Sequence, residues 1–421
     1  MRVAVFTSMY PARTGTFFER DMRALVQAGL EIEVFPIYPP DESAWGLSLG
    51  LLTPEHLARD RVHHLSAAAA IRGLFPVLGR SPKVALRDAL SVVAAAARYG
   101  PVALAKTAYV LPKAWTWGGA AQPRGPFDHV LAYWGNYAGT CAYLFHRLAA
   151  PNVPFSIWLH AGTDLYRDTV FMREKLAYAD NVITCCEFND QYIRRQFADV
   201  ANLDAKIHVC HHGLNLADFP FQSDGRAPDR LVAVGRFVKA KGFDYLVRAV
   251  RLLGDRNKNV VLELVGDGEQ RAALQRLAAD LGVTDRIQFR GWQPFAAVRE
   301  AMNRATILVH PSDGLGDGLP NVIREAMALG TPVVASDVAG IPDALRDGCG
   351  GLVQPKDPAA LAAALERLLD DPVERHAVAA RARSRAEERY DLWRNGARLA
   401  EILRTSRRST PRRGQPLRTA A

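Results

Sequence analysis

Short runs of β-branched and other apolar residues, bounded by turn residues, alternate with stretches of helical apolar spacing, and the pattern runs through the chain twice. The first half carries RVAVF (2–6), EIEVFPI (31–37), HVLAY (129–133), FSIWL (155–159), NVITC (181–185) and KIHVC (206–210). The second half restarts with LVAVG (231–235), VVLELVG (260–266), IQFRG (287–291), ILVH (307–310) and PVVAS (332–336). Runs that are apolar almost throughout belong to parallel strands covered on both faces. Most gaps between runs, roughly 20 to 30 residues, hold one crossover helix each. The pattern predicts two doubly wound α/β units. The polar segment ADFPFQSDGRAPD (217–229), with two prolines and a glycine, reads as the linker and puts the boundary near 220.

Three regions depart from the alternation. Residues 42–120, rich in alanine, leucine and arginine, predict a helical insertion outside the first sheet, either with its own core or with a face turned to membrane or acceptor. Residues 386–404 predict a last amphipathic helix with Tyr390, Trp393, Leu399 and Ile402 available for packing. Residues 405–421, almost without apolar side chains, predict a disordered tail. The chain carries a formal charge of +9, but Arg404, Arg407, Arg408, Arg412, Arg413 and Arg418 stand at its end with no acid among them, leaving +3 for the remainder. Basic charge so confined, without interleaved aromatics, argues against nucleic acid as a partner. The cysteines Cys141, Cys185, Cys186, Cys210 and Cys349 show neither metal spacing nor a disulfide framework, which fits a reducing cytoplasm. The opening segment MRVAVFTSMYPARTG has no signal-peptide core, and no apolar run reaches 18 residues, so neither secretion nor a membrane span is expected.

The richest segment for chemistry is HPSDGLGDGLPNVIREAMALGTPVVASDVAGIPDAL (310–345). It leaves a strand, bends at Gly314, Gly316 and Gly318, and is expected to enter a helix near Leu319 with Pro320 in the first turn. Such a helix start offers N–H groups and the positive end of a dipole to an anion, most naturally a diphosphate. Asp317 before the helix and Glu325 eight residues later suit hydroxyl groups on either side of that anion. Arg236 and Lys241 follow the first strand of the second unit, at the carboxyl end where open α/β sheets bind ligands. Taken alone, each feature has a plain structural reading as a turn or a surface charge. The adjacent pairs His63/His64 and His211/His212 point to opposite faces on a strand and are assigned no metal. Cys185 and Cys186 read as buried structural thiols, and Gly266-Asp267-Gly268 as a turn.

Taken together, G-R-x4-K-G from Gly235, LELVGDGEQRAAL, and HPSDG…DGLPNVIREAMALGTPVVASDVAGIPD resemble the retaining nucleotide-sugar glycosyltransferases of family 4. The resemblance continues more loosely through TGTFFERDMRALVQAGLEIEVFPI, WLHAGTDLY and CCEFNDQYIRRQF, toward the exopolysaccharide and colanic-acid branch. It implies the GT-B architecture: two Rossmann-like domains facing a cleft, 1–220 for the acceptor and 221–385 for the donor, with the helix of 386–404 crossing back to the first domain. It implies that Arg236 and Lys241 bind the diphosphate beside Gly235, Gly318, Leu319 and Asn321, and that Glu325 holds the ribose hydroxyls. Asp317 takes the place of a glutamate that faces the donor sugar, one methylene shorter and so roughly 1.5 Å less in reach, which bears on sugar selectivity. His160 matches a histidine that approaches the sugar, and Gly15 lets a loop of the first domain near the phosphates. Asp164 either touches the acceptor or caps a helix.

The reaction so implied retains anomeric configuration, is metal-independent and uses no cofactor; no Asp-x-Asp dyad stands in a suitable loop. Its partners are a UDP- or GDP-sugar and a saccharide or polyprenyl-linked acceptor, with the protein peripheral on the anionic inner membrane face. The rival readings are a nucleotide-sugar epimerase of the same architecture and a non-catalytic sugar-binding relative.

Overall fold

The computed structural model describes residues 1–12, 16–41, 59–73, 82–120 and 124–408. The chain divides into two compact units. One comprises Met1–Cys185, Asn189–Gly213 and the segment from Leu392; the other comprises Cys186–Phe188 and Leu214–Asp391. The segment 217–229 therefore belongs to the second unit, not to a free tether.

In the first unit six parallel strands, β1 (Arg2–Thr7), β2 (Glu31–Pro36), β3 (His129–Ala132), β4 (Phe155–Leu159), β5 (Asn181–Thr184) and β6 (Ile207–Val209), lie in the order β2-β1-β3-β4-β5-β6. Alternation along β1 sorts its side chains: Ala4 and Phe6 join one core, Val3 and Val5 the other. Phe6 meets Phe35, Trp117 and Phe145 on the first face. On the second face lie Met22 and Leu25 of α1 (Thr16–Gln27) and Leu399 and Leu403 of the last helix, Leu392–Thr405. Leu399 and Leu403 are one turn apart and fully buried, each contributing about 1.5–3 kcal/mol of hydrophobic stabilisation. The last helix thus packs as part of the first unit.

That helix is shorter than the sequence predicts. Residues 386–389 finish the preceding helix, Pro372–Arg389, and the chain breaks at Tyr390–Asp391. Leu214 N–H donates to the Tyr390 carbonyl at 2.7 Å and Leu214 bridges Asp391, so the backbone here pairs with another pass of the chain instead of with itself. Beyond the helix Ser406 accepts from Asn181 at 2.7 Å, and Arg408 reaches Asp180 at 2.9 Å over the Tyr178 ring. Residues 405–408, predicted disordered, are therefore packed; 409–421 lie outside the described residues.

Within the insertion, α2 (Ala67–Arg72), α3 (Pro82–Ala97) and α4 (Pro101–Gly119) are described. Val92, Ala96, Val110, Ala114 and Trp117 enter the sheet's own core beside α5 (Tyr137–Ala149), while Ala85 and Trp115 form a small satellite cluster. The rest of the first unit's helices are α6 (Met172–Tyr178) and α7 (Glu187–Gln196).

The second unit repeats the plan with β7 (Arg230–Val234), β8 (Val261–Val265), β9 (Ile287–Gly291), β10 (Ile307–His310), β11 (Val333–Ser336) and β12 (Gly351–Val353), ordered β12-β11-β10-β7-β8-β9 and all parallel. Its helices are α8 (Phe243–Asp255), α9 (Arg271–Asp280), α10 (Phe295–Arg304), α11 (Asn321–Leu329), α12 (Ile341–Leu345), α13 (Pro358–Asp370) and α14 (Pro372–Arg389). The edge strand β12, three residues long and opening on the second glycine of the pair Gly350-Gly351, escapes the sequence pattern. Strand order reverses between β7 and β10, and the crevice at such a switch point is where open α/β sheets bind ligands.

Candidate active site

The loops after β7 and β10 flank that switch point and are tied together. Asp313 N–H donates to the Ala240 carbonyl at 3.0 Å, and Ser312 Oγ donates to the same oxygen at 3.2 Å. Gly242, at φ +63°, ends the first loop so close to the second that a Cβ would stand 2.0 Å from the Pro311 carbonyl oxygen. Only glycine fits there. The Lys241 side chain runs over Gly235, whose own Cβ would stand 3.6 Å from the lysine Cε. Arg236 is exposed, and its guanidinium engages no side chain or carbonyl among the described residues. Gly235 and Arg236 are also held from the β8 side: Gly235 N–H donates to Val265 at 3.0 Å and Phe237 N–H to Asp267 at 2.8 Å. A Cβ at Gly266 would strike the Gly235 carbonyl at 1.9 Å, so the Gly266-Asp267-Gly268 turn serves close backbone approach.

After β10 a 3₁₀ turn, Leu315–Asp317, leads through Gly318 at φ +55° into α11. The helix begins at Asn321, two residues later than predicted, and Pro320 is its N-cap instead of a first-turn residue. Proline has no donor and no hydroxyl or carboxylate, so no side chain caps this helix start. Leu319 is buried, Asn321 half-buried, and the Gly318 carbonyl accepts from Gly340 at 3.0 Å. Glu325 lies in the second turn and is 4% exposed. The Asp317 side chain and the whole of Gly15 lie outside what the structure describes.

In the first unit His160 follows β4 and is buried. Both ring nitrogens lack a hydrogen-bond partner. Its Nδ1 stands 3.5 Å from the Asp164 carboxylate, too far for a good bond. Asp164 is wholly buried and engaged by backbone: Oδ2 accepts from His160 N–H at 3.0 Å and Gly135 N–H at 3.3 Å, Oδ1 from Ala161 N–H at 3.0 Å. Of the two readings of Asp164, acceptor contact and cap, the geometry is that of a cap on the 160–164 turn. Asn189 Nδ2 donates to the His160 carbonyl and its Oδ1 accepts from Tyr166, which fixes the same turn from α7.

Two residues to which the sequence reading gives no part in the site, His212 and Asp21, stand near His160. His212 Nδ1 bonds to Asp21 at 2.6 Å, and the His212 ring lies parallel to that of His160, 5.0 Å away at 6°. Tyr133 donates to the same Asp21 oxygen. Asp21 sits on the buried stripe of α1 with Phe18, Met22 and Leu25, and a carboxylate at a core position requires a partner. That was the available signal. The neighbouring His211 turns away to the Cys185 carbonyl at 2.9 Å. All five cysteines are buried and unbridged, and among the described residues no three His, Cys, Asp or Glu side chains are grouped to hold a metal ion.

Residues 228–371 match the family model described as glycosyl transferases group 1. Over its full span the chain is similar to the amylovoran biosynthesis glycosyltransferase AmsK of Erwinia amylovora, 25% identical across 96% of this chain and 99% of that protein. The lipopolysaccharide core biosynthesis glycosyltransferase LpsD of Rhizobium meliloti is 38% identical over 36% of this chain and 42% of its own length. Among solved structures, Anabaena Alr3699/HepE in complex with UDP matches with a TM-score of 0.69 and 18% identity over 96% of this chain and 100% of that one, a likeness of fold. Nothing in these matches favours an epimerase. Residues 228–371 carry the group 1 glycosyltransferase pattern, and the chain has the GT-B fold of the solved glycosyltransferases it resembles.

Proposed function

We propose that the protein transfers a glycosyl group, with retention of configuration, from a nucleoside diphosphate sugar to a saccharide or polyprenyl-linked acceptor in exopolysaccharide or lipopolysaccharide assembly. The observation that carries this reading is the second unit's switch point. There Arg236, exposed and engaged by no side chain or carbonyl among the described residues, stands on the loop after β7, and Ala240, beside Lys241 in that loop, is bonded to the loop that leads into the start of α11, which no side chain caps. Arg binds phosphate oxygens in pairs, Lys adds a point charge, and the helix dipole adds a fixed partial charge. The donor is a UDP- or GDP-sugar; the UDP held by HepE supports the former.

As the bond from the anomeric carbon to the diphosphate breaks, its electron pair passes to the leaving phosphate oxygen. Arg236, Lys241 and the start of α11 neutralise the charge that builds there, without a metal. The sugar passes through an oxocarbenium-like state. The acceptor hydroxyl attacks from the leaving-group face and gives its proton to the departing phosphate oxygen. Glu325 holds the ribose, with Gly235, Gly318, Leu319 and Asn321 around the phosphates. Asp317 and His160 serve the sugar hydroxyls and Gly15 the phosphates.

A membrane-borne acceptor is supported by α3. Leu86 and Leu90 are each 62% exposed and Val93 39%, with Val102 beyond them on α4. Exposed Lys83, Arg87 and Arg98 flank this stripe, while Asp88 of the same helix is buried against Arg147 at 2.6 Å. An acid-free apolar face with a basic rim suits an anionic bilayer surface. No helix among the described residues is long and apolar enough to cross a membrane. We place the enzyme on the cytoplasmic face. The test is release of nucleoside diphosphate from UDP- and GDP-sugars with and without a lipid-linked saccharide, and the anomeric configuration of the product. Acceptor-dependent release with retention is expected; conversion of the donor sugar with the diphosphate linkage intact would refute the reading.

A further inference from the structure

The environment of His160 contains a buried ion pair for which donor recognition as described has no use. Four elements of the first unit converge on it. Asp21 comes from α1, Tyr133 from the end of β3, His160 from the end of β4, and His212 from the segment after β6. Three rings lie nearly parallel and mutually in contact: His212 is 5.0 Å from Trp158 at 17° and 5.0 Å from His160 at 6°, and Trp158 and His160 stand 5.4 Å apart at 21°. Trp134 and Phe17 close on His160 at 4.4 and 5.8 Å. His160 is thus packed against aromatic rings on several sides. Its carboxylate neighbour among the described residues, Asp164, is already occupied by three backbone N–H groups. The hydrogen-bonded carboxylate belongs to the ring beneath it.

We infer that Asp21 and His212 are positioning residues for His160: their hydrogen-bonded pair forms the flat platform that fixes the His160 ring plane, and carries the fixed charge facing that ring. The inference rests on the sugar-facing role given to His160 above. The groups that face His212 are Asp21 from α1, Tyr133, His160 and Cys185. Burial disfavours the His212 cation, but the Asp21 charge, its hydrogen bond and contact with Cys185 outweigh it and raise the imidazole to about 9. Through neutral pH the proton stays on His212. His160, with both nitrogens unpaired, keeps its hydrogen-bonding capacity for a ligand. An apolar ring at 212 would preserve the stacking area and remove the charge.

The test is steady-state transfer from the nucleotide sugar as a function of pH, comparing wild type with Asp21→Asn, His212→Phe and His160→Ala. Wild-type kcat should be flat from pH 6 to 8. Asp21→Asn keeps the shape of the carboxylate but not its charge, so His212 in that variant takes up its proton only at lower pH. Its kcat should fall about tenfold at pH 8 and recover toward pH 6, with donor KM changed less than kcat. His212→Phe should lose about tenfold without recovery at any pH. A merely structural pair would lower the melting temperature and leave the pH profile parallel to wild type, and that result would overturn the inference. Wild-type kcat in folded His212→Phe while His160→Ala is impaired would overturn it alone. Wild-type kcat in His160→Ala would overturn the role of His160 as well.

Discussion

The carboxylate of Asp164 accepts the backbone N–H of His160 at 3.0 Å, and the same carboxylate also gathers Gly135 and Ala161. Three backbone donors, two of them buried, depend on one side chain that meets no solvent. Asp164→Ala leaves all three unsatisfied and should destabilise the protein by about 3 kcal/mol or more. Nucleotide affinity, which the proposed function assigns chiefly to the second unit, should hold. Thermal unfolding alongside a nucleotide titration reads both; an unchanged melting temperature would show that Asp164 does not hold the turn.

At Gly242 conformation and space forbid a side chain together. Gly282 has the same left-handed backbone, φ +66°, and nothing within 4 Å of a built Cβ. Gly282→Ala should therefore cost only the backbone term, about 1 kcal/mol. Gly242→Ala must also displace the Pro311 carbonyl, separating the loops that carry Lys241 and lead to α11. It should lose more stability than Gly282→Ala and at least tenfold in nucleotide affinity by calorimetry. Equal effects of the two substitutions would contradict the tight junction.

The Asp21–His212 pair gives stability a pH dependence. The folded-state imidazole is raised to about 9 against about 6.5 unfolded. Its contribution is complete below pH 6.5, shrinks as pH rises because the unfolded chain loses its proton first, and is gone above about 9. The full span is worth about 3 kcal/mol. Denaturant unfolding at a series of pH values should show this decline in wild type and lose it in Asp21→Asn.

The exposed face of α3 is separable from catalysis. Leu86→Glu with Leu90→Glu should abolish sedimentation with vesicles rich in anionic phospholipid, leave sedimentation with neutral vesicles at background, and keep the melting temperature within about 1 °C because neither side chain enters a core. Unchanged sedimentation would remove α3 from membrane contact.

Eleven of the twelve strands are visible in the sequence as short runs dominated by apolar and β-branched residues, whereas β12 is three residues that open on Gly351 and form no such run. The loop features Arg236, Lys241 and the glycine-bent entry to α11 are visible because they are local, each set within one loop. The start of α11 is misplaced because Pro320 suits either N1 or the N-cap. The Asp21–His212 pair is invisible because it joins residues 191 apart in sequence. The role of Asp164 stays open in the sequence for the same reason: Gly135, 29 residues upstream, is one of the donors that decides it.

The most direct test is calorimetric titration of UDP, GDP and their sugar conjugates into wild type, Arg236→Ala and Lys241→Ala, with turnover measured on the same preparations. One nucleotide family should bind wild type, and each substitution should weaken it at least tenfold and lower kcat by about two orders of magnitude while the melting temperature holds. Wild-type affinity and turnover in both variants would contradict the placement of the diphosphate at the β7/β10 crevice.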